Sequence, residues 1–283
     1  MSTAPKVSLG AEADVVVVGG GPGGFAAALK AARMGASVVL IEKFDMPGGV
    51  HTAGLQGAAG PGAGGIHTEL MERFDAAGYI YTASEASHPG WAGNPLSHYE
   101  RYMKPGAEFA RASFNPEGAG NVMAAMLEEA GVETFYDTGF VDAEVKDGTG
   151  NDVITSVIVE NASGRQAIRG KIFIEGTGTA ELVARAGAPF VPGGGGQPGG
   201  ADWDRVKRPV PGGLLWIMRG IEYPRLYNYQ QTSNDSLLTN LIAEASAAGD
   251  VPSMLYRPRM GGANVYGESY IGHPTLDMSP IDG

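Results

Sequence analysis

The sequence predicts an α/β fold. A Rossmann-type domain with a parallel sheet opens at the N-terminus, an antiparallel β-meander continues it, and part of a second, cap-like region follows. Three observations carry this. Residues 14–41 alternate a β-branched run, a glycine-rich turn, an alanine-rich helical stretch and a second β-branched run. Residues 133–174 hold four short strand-like segments separated by turn residues. Between residues 192 and 200 the composition collapses to PGGGGQPGG, which marks a boundary.

Residues 14–18 (DVVVV) are apolar throughout and end in glycine, the signature of a parallel strand buried on both faces. Residues 22–34 (PGGFAAALKAARM) place leucine and phenylalanine at helical spacing among alanines, and Gly35 closes the helix. Residues 37–41 (SVVLI) form the second buried strand, with Glu42 at its end. Strand, helix and strand make a βαβ unit with a right-handed crossover. The glycine- and alanine-rich stretch 48–65 follows the second strand directly, so it reads as a ligand-hugging loop rather than a linker. A helix is expected over 66–77. Residues 78–112 lack periodicity and carry Tyr79, Tyr81, His88, Trp91, His98, Tyr99 and Tyr102, as a lid does.

Asn115 and Pro116 have the N-cap and first-turn residue types of a helix that runs to Gly131. Strands are expected at 133–136, 141–146, 153–160 and 166–174, the last ending in KIFIE, with a short helix over 180–186. The second region, 192–283, shows one strand (214–219) and one helix (236–248). The domains are therefore 1–191, including the lid, and 192–283.

Composition narrows the function classes. The formal charge of −11 disfavours nucleic acid and anionic membrane surfaces as partners. No apolar run reaches membrane-spanning length. The sequence has no cysteine, which removes disulfides, thiolate iron–sulfur ligation and a cysteine nucleophile. No metal site is read from the sequence. The polar stretch 1–14 lacks an apolar secretion segment, so a cytoplasmic location is expected.

Gly19-Gly20-Gly21-Pro22-Gly23-Gly24 fits G-x-G-x-x-G between strand and helix. Gly19 allows the tight turn, Gly21 lets backbone approach a pyrophosphate, and Gly24 lets helix and strand pack closely. The pyrophosphate meets the N–H groups of the helix start. Glu42 stands where a carboxylate accepts both ribose hydroxyls and repels a 2′-phosphate.

The motif alone leaves FAD and NAD open. Three stretches bear on the choice: VVVVGGGPGGFAAALKAARMGASVVLIEK, the doublet Gly48-Gly49 followed by VHTAGL, and IEGTGTAELVARAGAPF. With them, residues 13–190 resemble the FAD-dependent oxidoreductase family related to the glutathione-reductase and fumarate-reductase flavoproteins. The resemblance implies FAD. It implies that Lys43, next to Glu42, is a cofactor-binding residue. It also implies that Gly48, Gly49, Val50, His51, Thr52, Ala53, Gln56 and Gly57 line the pyrophosphate and flavin. Gly176, Thr177 and Gly178 would pass near FAD, and the strand around Phe140 and Val141 would meet the adenine. The family often has aspartate after the second glycine of the third stretch. Here Thr179 and Ala180 precede Glu181, so no acidic FAD contact is assigned.

The segment His51-Thr52-Ala53-Gly54-Leu55-Gln56-Gly57 is similar to the one in succinate dehydrogenase and fumarate reductase whose histidine is bonded to the flavin 8α-methyl. Two readings of His51 stay open: covalent attachment, or a hydrogen bond to the cofactor or to a backbone carbonyl. For the substrate side, His88, Tyr99, Arg257, Arg259, Tyr266 and His273 are the candidates. Histidine suits a base, and arginine or tyrosine suits orientation of a polar substrate.

The leading reading is a dehydrogenase or oxidase acting on a small organic substrate. The alternative is a non-catalytic subunit that holds FAD for electron transfer; a third, an NAD enzyme, fits the second and third stretches less well. In the family a later glycine-rich segment closes the FAD domain. Here residues 279–283 read as a loop ahead of a helix. The resemblance thus implies a second polypeptide that completes the fold, either a separate subunit or the other product of proteolysis after Gly283.

Overall fold

A computed structural model describes residues 7–59, 64–80, 112–146, 153–190, 212–217, 225, 228–229, 232–233, 238–250, 263–267 and 274–281. In chain order the elements are β1 (Ser8–Val18), α1 (Pro22–Arg33), β2 (Val38–Ile41) and a 3-10 turn (Gly49–His51). Next come β3 (Ala58–Ala59), α2 (Ile66–Ala76), β4 (Ala112–Ser113) and α3 (Pro116–Glu129). They are followed by β5 (Glu133–Phe135), β6 (Gly139–Lys146), β7 (Val153–Asn161), β8 (Gly164–Glu175) and α4 (Glu181–Arg185). The last are β9 (Gly212–Ile217), α5 (Thr239–Ala248), β10 (Ala263–Gly267) and β11 (Pro274–Ile281). The chain divides into two compact units. The first comprises Met1–Gly54, Glu72–Ala77 and Pro116–Phe190; the second comprises Leu55–Met71, Gly78–Asn115 and Val191–Gly283.

The first unit is built on a six-stranded sheet in the order β5-β2-β1-β8-β7-β6. The four strands β5, β2, β1 and β8 run parallel, and β7 and β6 turn back antiparallel as the meander. Side chains alternate across the sheet. Val17 points at α1, where a Cβ on Gly24 would lie 3.3 Å from its side chain. Phe25, Ala28 and Leu29 of α1 are buried against this face, and Met123, Met126 and Leu127 of α3 are buried with them. Val16, Val18, Val39 and Ile41 point the other way, into a core shared with Val157, Val159, Ile168 and Leu182. Burying a valine or isoleucine at such a position contributes about 1.5–3 kcal/mol. Gly35, at φ +91°, sits just past α1, where the left-handed turn stops the helix.

The short β3 and β4 and strand β10 have no counterpart in the sequence expectation, and two further elements depart from it. β1 begins at Ser8, ahead of the apolar run. Residues 8–13 carry no strand signal of their own; they are extended because Ser8 to Ala13 pair in register with Gln166 to Gly170 of the long β8, across one irregularity between Leu9 and Ala11. In the second unit, residues 274–281 form β11, which runs into the stretch 279–283 where a loop ahead of a helix was expected. β11 is the central strand of an antiparallel sheet ordered β10-β11-β9. Proline and serine near its end disguise it, and the register shifts between Met278 and Ile281, a bulge that accommodates Pro280.

Asp14 ties three strands together at the sheet edge away from the glycine turn. Its Oδ1 accepts from Lys171 Nζ at 2.6 Å, and its Oδ2 accepts from the Ser37 N–H and hydroxyl at 3.0 and 2.8 Å. The Lys171 hydrogen bond first, and those of Ser37 next, hold the Asp14 carboxyl well below the usual carboxylate range. A depressed folded-state pKa gives stability that is complete above the unfolded value of about 4 and is lost as pH falls below it. Urea unfolding of the wild type and Asp14→Asn should therefore differ at neutral pH, and the difference should shrink progressively as pH falls below about 4. The pair is exposed, so the neutral-pH difference should shrink in roughly 1 M salt.

Candidate functional site: a cleft at the carboxyl ends of the parallel strands

The first unit holds a cavity of about 760 Å³ where β1, β2 and β8 end. That volume suits a nucleotide-sized ligand, and the carboxyl edge of a parallel sheet is where such ligands bind. Val18, Ile41 and Glu175, the last residues of the three strands, line it.

Gly19, Gly21, Pro22 and Gly23 form one wall. Gly19 has φ +96°, and a Cβ there would lie 2.6 Å from the Gly176 carbonyl. A Cβ on Gly24 would lie 1.8 Å from Gly19 O, so no side chain fits between helix and strand. Gly21 and Gly23 are different. The nearest atom to a Cβ on Gly21 is Gly176 O at 3.7 Å, and nothing lies within 4 Å of one on Gly23. Their backbone borders open space. The first turn of α1 has no side-chain cap and no acidic residue, so its N–H groups and positive dipole end stay available for an anion.

Glu42 lines the cavity beside this turn and is only 4% exposed. Its Oε2 accepts from Gly20 N–H at 2.7 Å and its Oε1 from Phe44 N–H at 2.9 Å. A carboxylate has about four acceptor positions, so each oxygen retains one for a ligand hydroxyl. Lys43 lines the cavity beside it, its ammonium 5.1 Å from the Phe44 ring centroid, a cation–π distance.

The second glycine doublet folds over the first turn. Gly48 N–H donates to Gly20 O at 2.8 Å, and a Cβ on Gly49 would lie 2.9 Å from Gly21 Cα. Gly49, Val50 and Gly54 reach the cavity. Gly48, His51, Thr52 and Ala53 are not among its lining residues. Thr52 is buried, and its hydroxyl donates to Pro47 O at 2.7 Å, which closes the turn. His51 ends the 3-10 turn, half-buried. Gln56 and Gly57 belong to the second unit. Phe140 lines the cavity, whereas Val141 is the extra residue of an irregularity between Phe140 and Asp142. Gly176, Thr177 and Gly178 line the cavity next to Gly19.

Sequence reasoning did not single out Phe44, Thr138, Glu175, Thr179 or Glu181, all of which line the cavity. Glu181 is displaced from the expected acidic position, yet it reaches the lining and accepts from the Thr179 hydroxyl at 2.8 Å. The signal for Glu175 was present, as a carboxylate closing an apolar strand beside a glycine turn. His88, Tyr99, Arg257, Arg259 and His273 lie outside the described residues, as do all the aromatic lid residues beyond Tyr79. Tyr266 falls on β10.

The family model for FAD dependent oxidoreductases matches residues 14–236. The chain belongs to the FAD-dependent oxidoreductase family. Its cofactor is FAD, and its members are enzymes. Among curated proteins, the dihydrolipoyl dehydrogenase of Acholeplasma laidlawii is 54% identical over 39 residues, which are 14% of this chain and 11% of that protein. The mitochondrial dihydrolipoyl dehydrogenase of Cricetulus griseus is 58% identical over 38 residues, 13% of this chain and 8% of the relative. The match thus spans about a tenth of these relatives' length. Among solved structures, BexE, described in connection with oxidation during BE-7585A biosynthesis, superimposes with a TM-score of 0.51 at 18% identity. The overlay covers 96% of this chain and 44% of BexE, and it speaks to the fold alone.

The cleft fits FAD on its own chemistry. Open backbone at Gly21 and Gly23 beside an uncapped helix start suits a pyrophosphate. The buried Glu42 carboxylate, held by two amides with acceptor positions to spare, suits a ribose diol. Among the described residues no helix is long and apolar enough to cross a membrane, and no group of His, Asp and Glu could hold a metal ion.

Proposed function

We propose that this chain is the FAD-binding part of a dehydrogenase or oxidase that acts on a small organic substrate. One observation carries the reading: a single cleft in the first unit joins the open glycine turn of α1 to the buried carboxylate of Glu42. FAD supplies the electron-transfer chemistry when bound. The chain's own residues hold and orient it. The α1 start takes the pyrophosphate, Glu42 takes the ribose hydroxyls, and the backbone of Gly49, Val50 and Gly176–Gly178 borders the remainder of the cofactor. The substrate side is assigned to the candidates of the lid and C-terminal region, with histidine as proton acceptor and arginine as carboxylate clamp.

A second polypeptide that completes the cofactor domain is part of this proposal. The cytoplasm is the location assigned, since a chain without cysteine makes no demand on an oxidising compartment.

The purified protein should carry a flavin spectrum that bleaches anaerobically with one member of a panel of small hydroxy, amino and keto compounds. A colourless protein that takes up no added FAD contradicts the reading. Acid precipitation decides His51. Flavin that stays with the washed pellet, and leaves it in His51→Ala, means covalent attachment; flavin released from the wild type means the hydrogen-bonded role.

A further inference from the structure

Glu175 is the last residue of β8, paired with Val18 of β1, and its carboxylate turns into the segment that follows. Oε1 accepts from Thr177 N–H at 2.5 Å, and Oε2 accepts from Leu182 N–H at 2.8 Å and Val183 N–H at 3.3 Å. One side chain thus gathers three backbone donors from both ends of the loop 176–183. To bring the Leu182 and Val183 amides back to Glu175, the chain passes through Ala180 at φ 55°, ψ 38°. That left-handed conformation costs alanine about 1–2 kcal/mol, so something must hold it. Charge-assisted bonds to a carboxylate are strong enough to do so.

The same loop sets the geometry of the glycine turn. Gly176 N–H donates to Val18 O at 2.7 Å, and a Cβ on Gly176 would lie 2.6 Å from Gly19 O and 3.0 Å from Gly24 Cα. Backbone touches backbone, so a shift of Gly176 is passed on to Gly19 and Gly24.

We infer that Glu175 is a positioning residue for cofactor binding: its carboxylate holds the Gly176–Gly178 wall and, through Gly176, the phosphate turn at Gly19. This rests on the reading of the cleft as the FAD site. The three amides point at Glu175 and not into the cavity. The pyrophosphate is therefore left to α1, and the Glu175 carboxylate, engaged by these three amides at the cavity margin, acts through the loop.

The test uses the full chain freed of flavin, titrated with FAD by fluorescence quenching, with thermal unfolding of each apoprotein alongside. Glu175→Gln puts an amide NH2 against backbone N–H groups, and should weaken FAD binding about tenfold or more. Glu175→Asp keeps the charge with a shorter reach, and should fall between Gln and the wild type. Adding Ala180→Gly to Glu175→Gln should recover about fivefold in affinity, because glycine adopts the left-handed turn without the Cβ penalty. A general packing defect would give no such recovery. Wild-type affinity in Glu175→Gln overturns the inference. So does an apoprotein that unfolds equally in Gln and Asp with no recovery from Ala180→Gly. If the wild type itself takes up no FAD, the site reading fails and this role fails with it; normal uptake by the wild type with an unaltered Gln variant sinks the role alone.

Discussion

Gly24→Ala is expected to abolish FAD binding and to destabilise the first unit by about 3 kcal/mol or more. The added methyl would sit 1.8 Å from Gly19 O, an overlap that requires a backbone shift on the order of 1–2 Å. Two rigid elements meet there. Gly24 lies in the first turn of α1, whose Phe25, Ala28 and Leu29 are buried. Gly19 is fixed by its N–H bond to Ile41 O at 2.8 Å and by backbone contact with Gly176. Moving α1 outward opens the core, and moving Gly19 deforms the phosphate turn. Urea unfolding should show a lower midpoint with a similar slope, and FAD titration should show no saturable binding. Gly23→Ala is the matched control for packing. Its Cβ meets nothing within 4 Å, so stability should change little, while the methyl intrudes on the space assigned to the pyrophosphate and FAD affinity should fall.

Glu42→Ala is the second large effect. It removes the acceptor for the N–H groups of Gly20 and Phe44, the first of these bonds fully buried. The stranded buried donor of Gly20 costs about 1–3 kcal/mol, and the part-buried Phe44 N–H costs less because water reaches it. The ribose acceptors disappear as well, so FAD affinity should fall by about a hundredfold, equal to roughly 3 kcal/mol. Glu42→Gln retains one acceptor oxygen but sets an NH2 against a backbone N–H, and should fall in between. Denaturant midpoints of the apoproteins separate the structural part from the loss of ribose contacts, which appears only in the FAD titration.

The legible parts of the site were those in which local sequence and tertiary contact demand the same residue. Gly19 and Gly24 are glycine because backbone crowds them, and their spacing follows from the turn geometry, so the pattern could be read without the fold. Glu42 was legible because it ends an apolar strand at a fixed point of a βαβ unit. Glu175 occupies a similar place on β8, yet two of its three donors, the Leu182 and Val183 amides, are brought back by a left-handed alanine, and no local preference predicts that conformation at Ala180. The same logic explains the misread elements. The first half of β1 is extended only because β8 runs beside it, and β11 contains a proline that a bulge tolerates. In both, pairing with distant strands overrode the local signal. Of the strand around Phe140 and Val141, named for the adenine, Phe140 lines the cavity and Val141 is the unpaired residue of an irregularity in β6.

The central claim is that FAD occupies the cleft where β1, β2 and β8 end. Amide hydrogen exchange of the full chain with and without FAD tests it most directly. FAD-dependent protection is expected at Gly21, Gly23 and Gly24, at Gly49 and Val50, and at Thr177 and Gly178, with little change in β7. Protection confined to other segments, or none at saturating FAD, would contradict it.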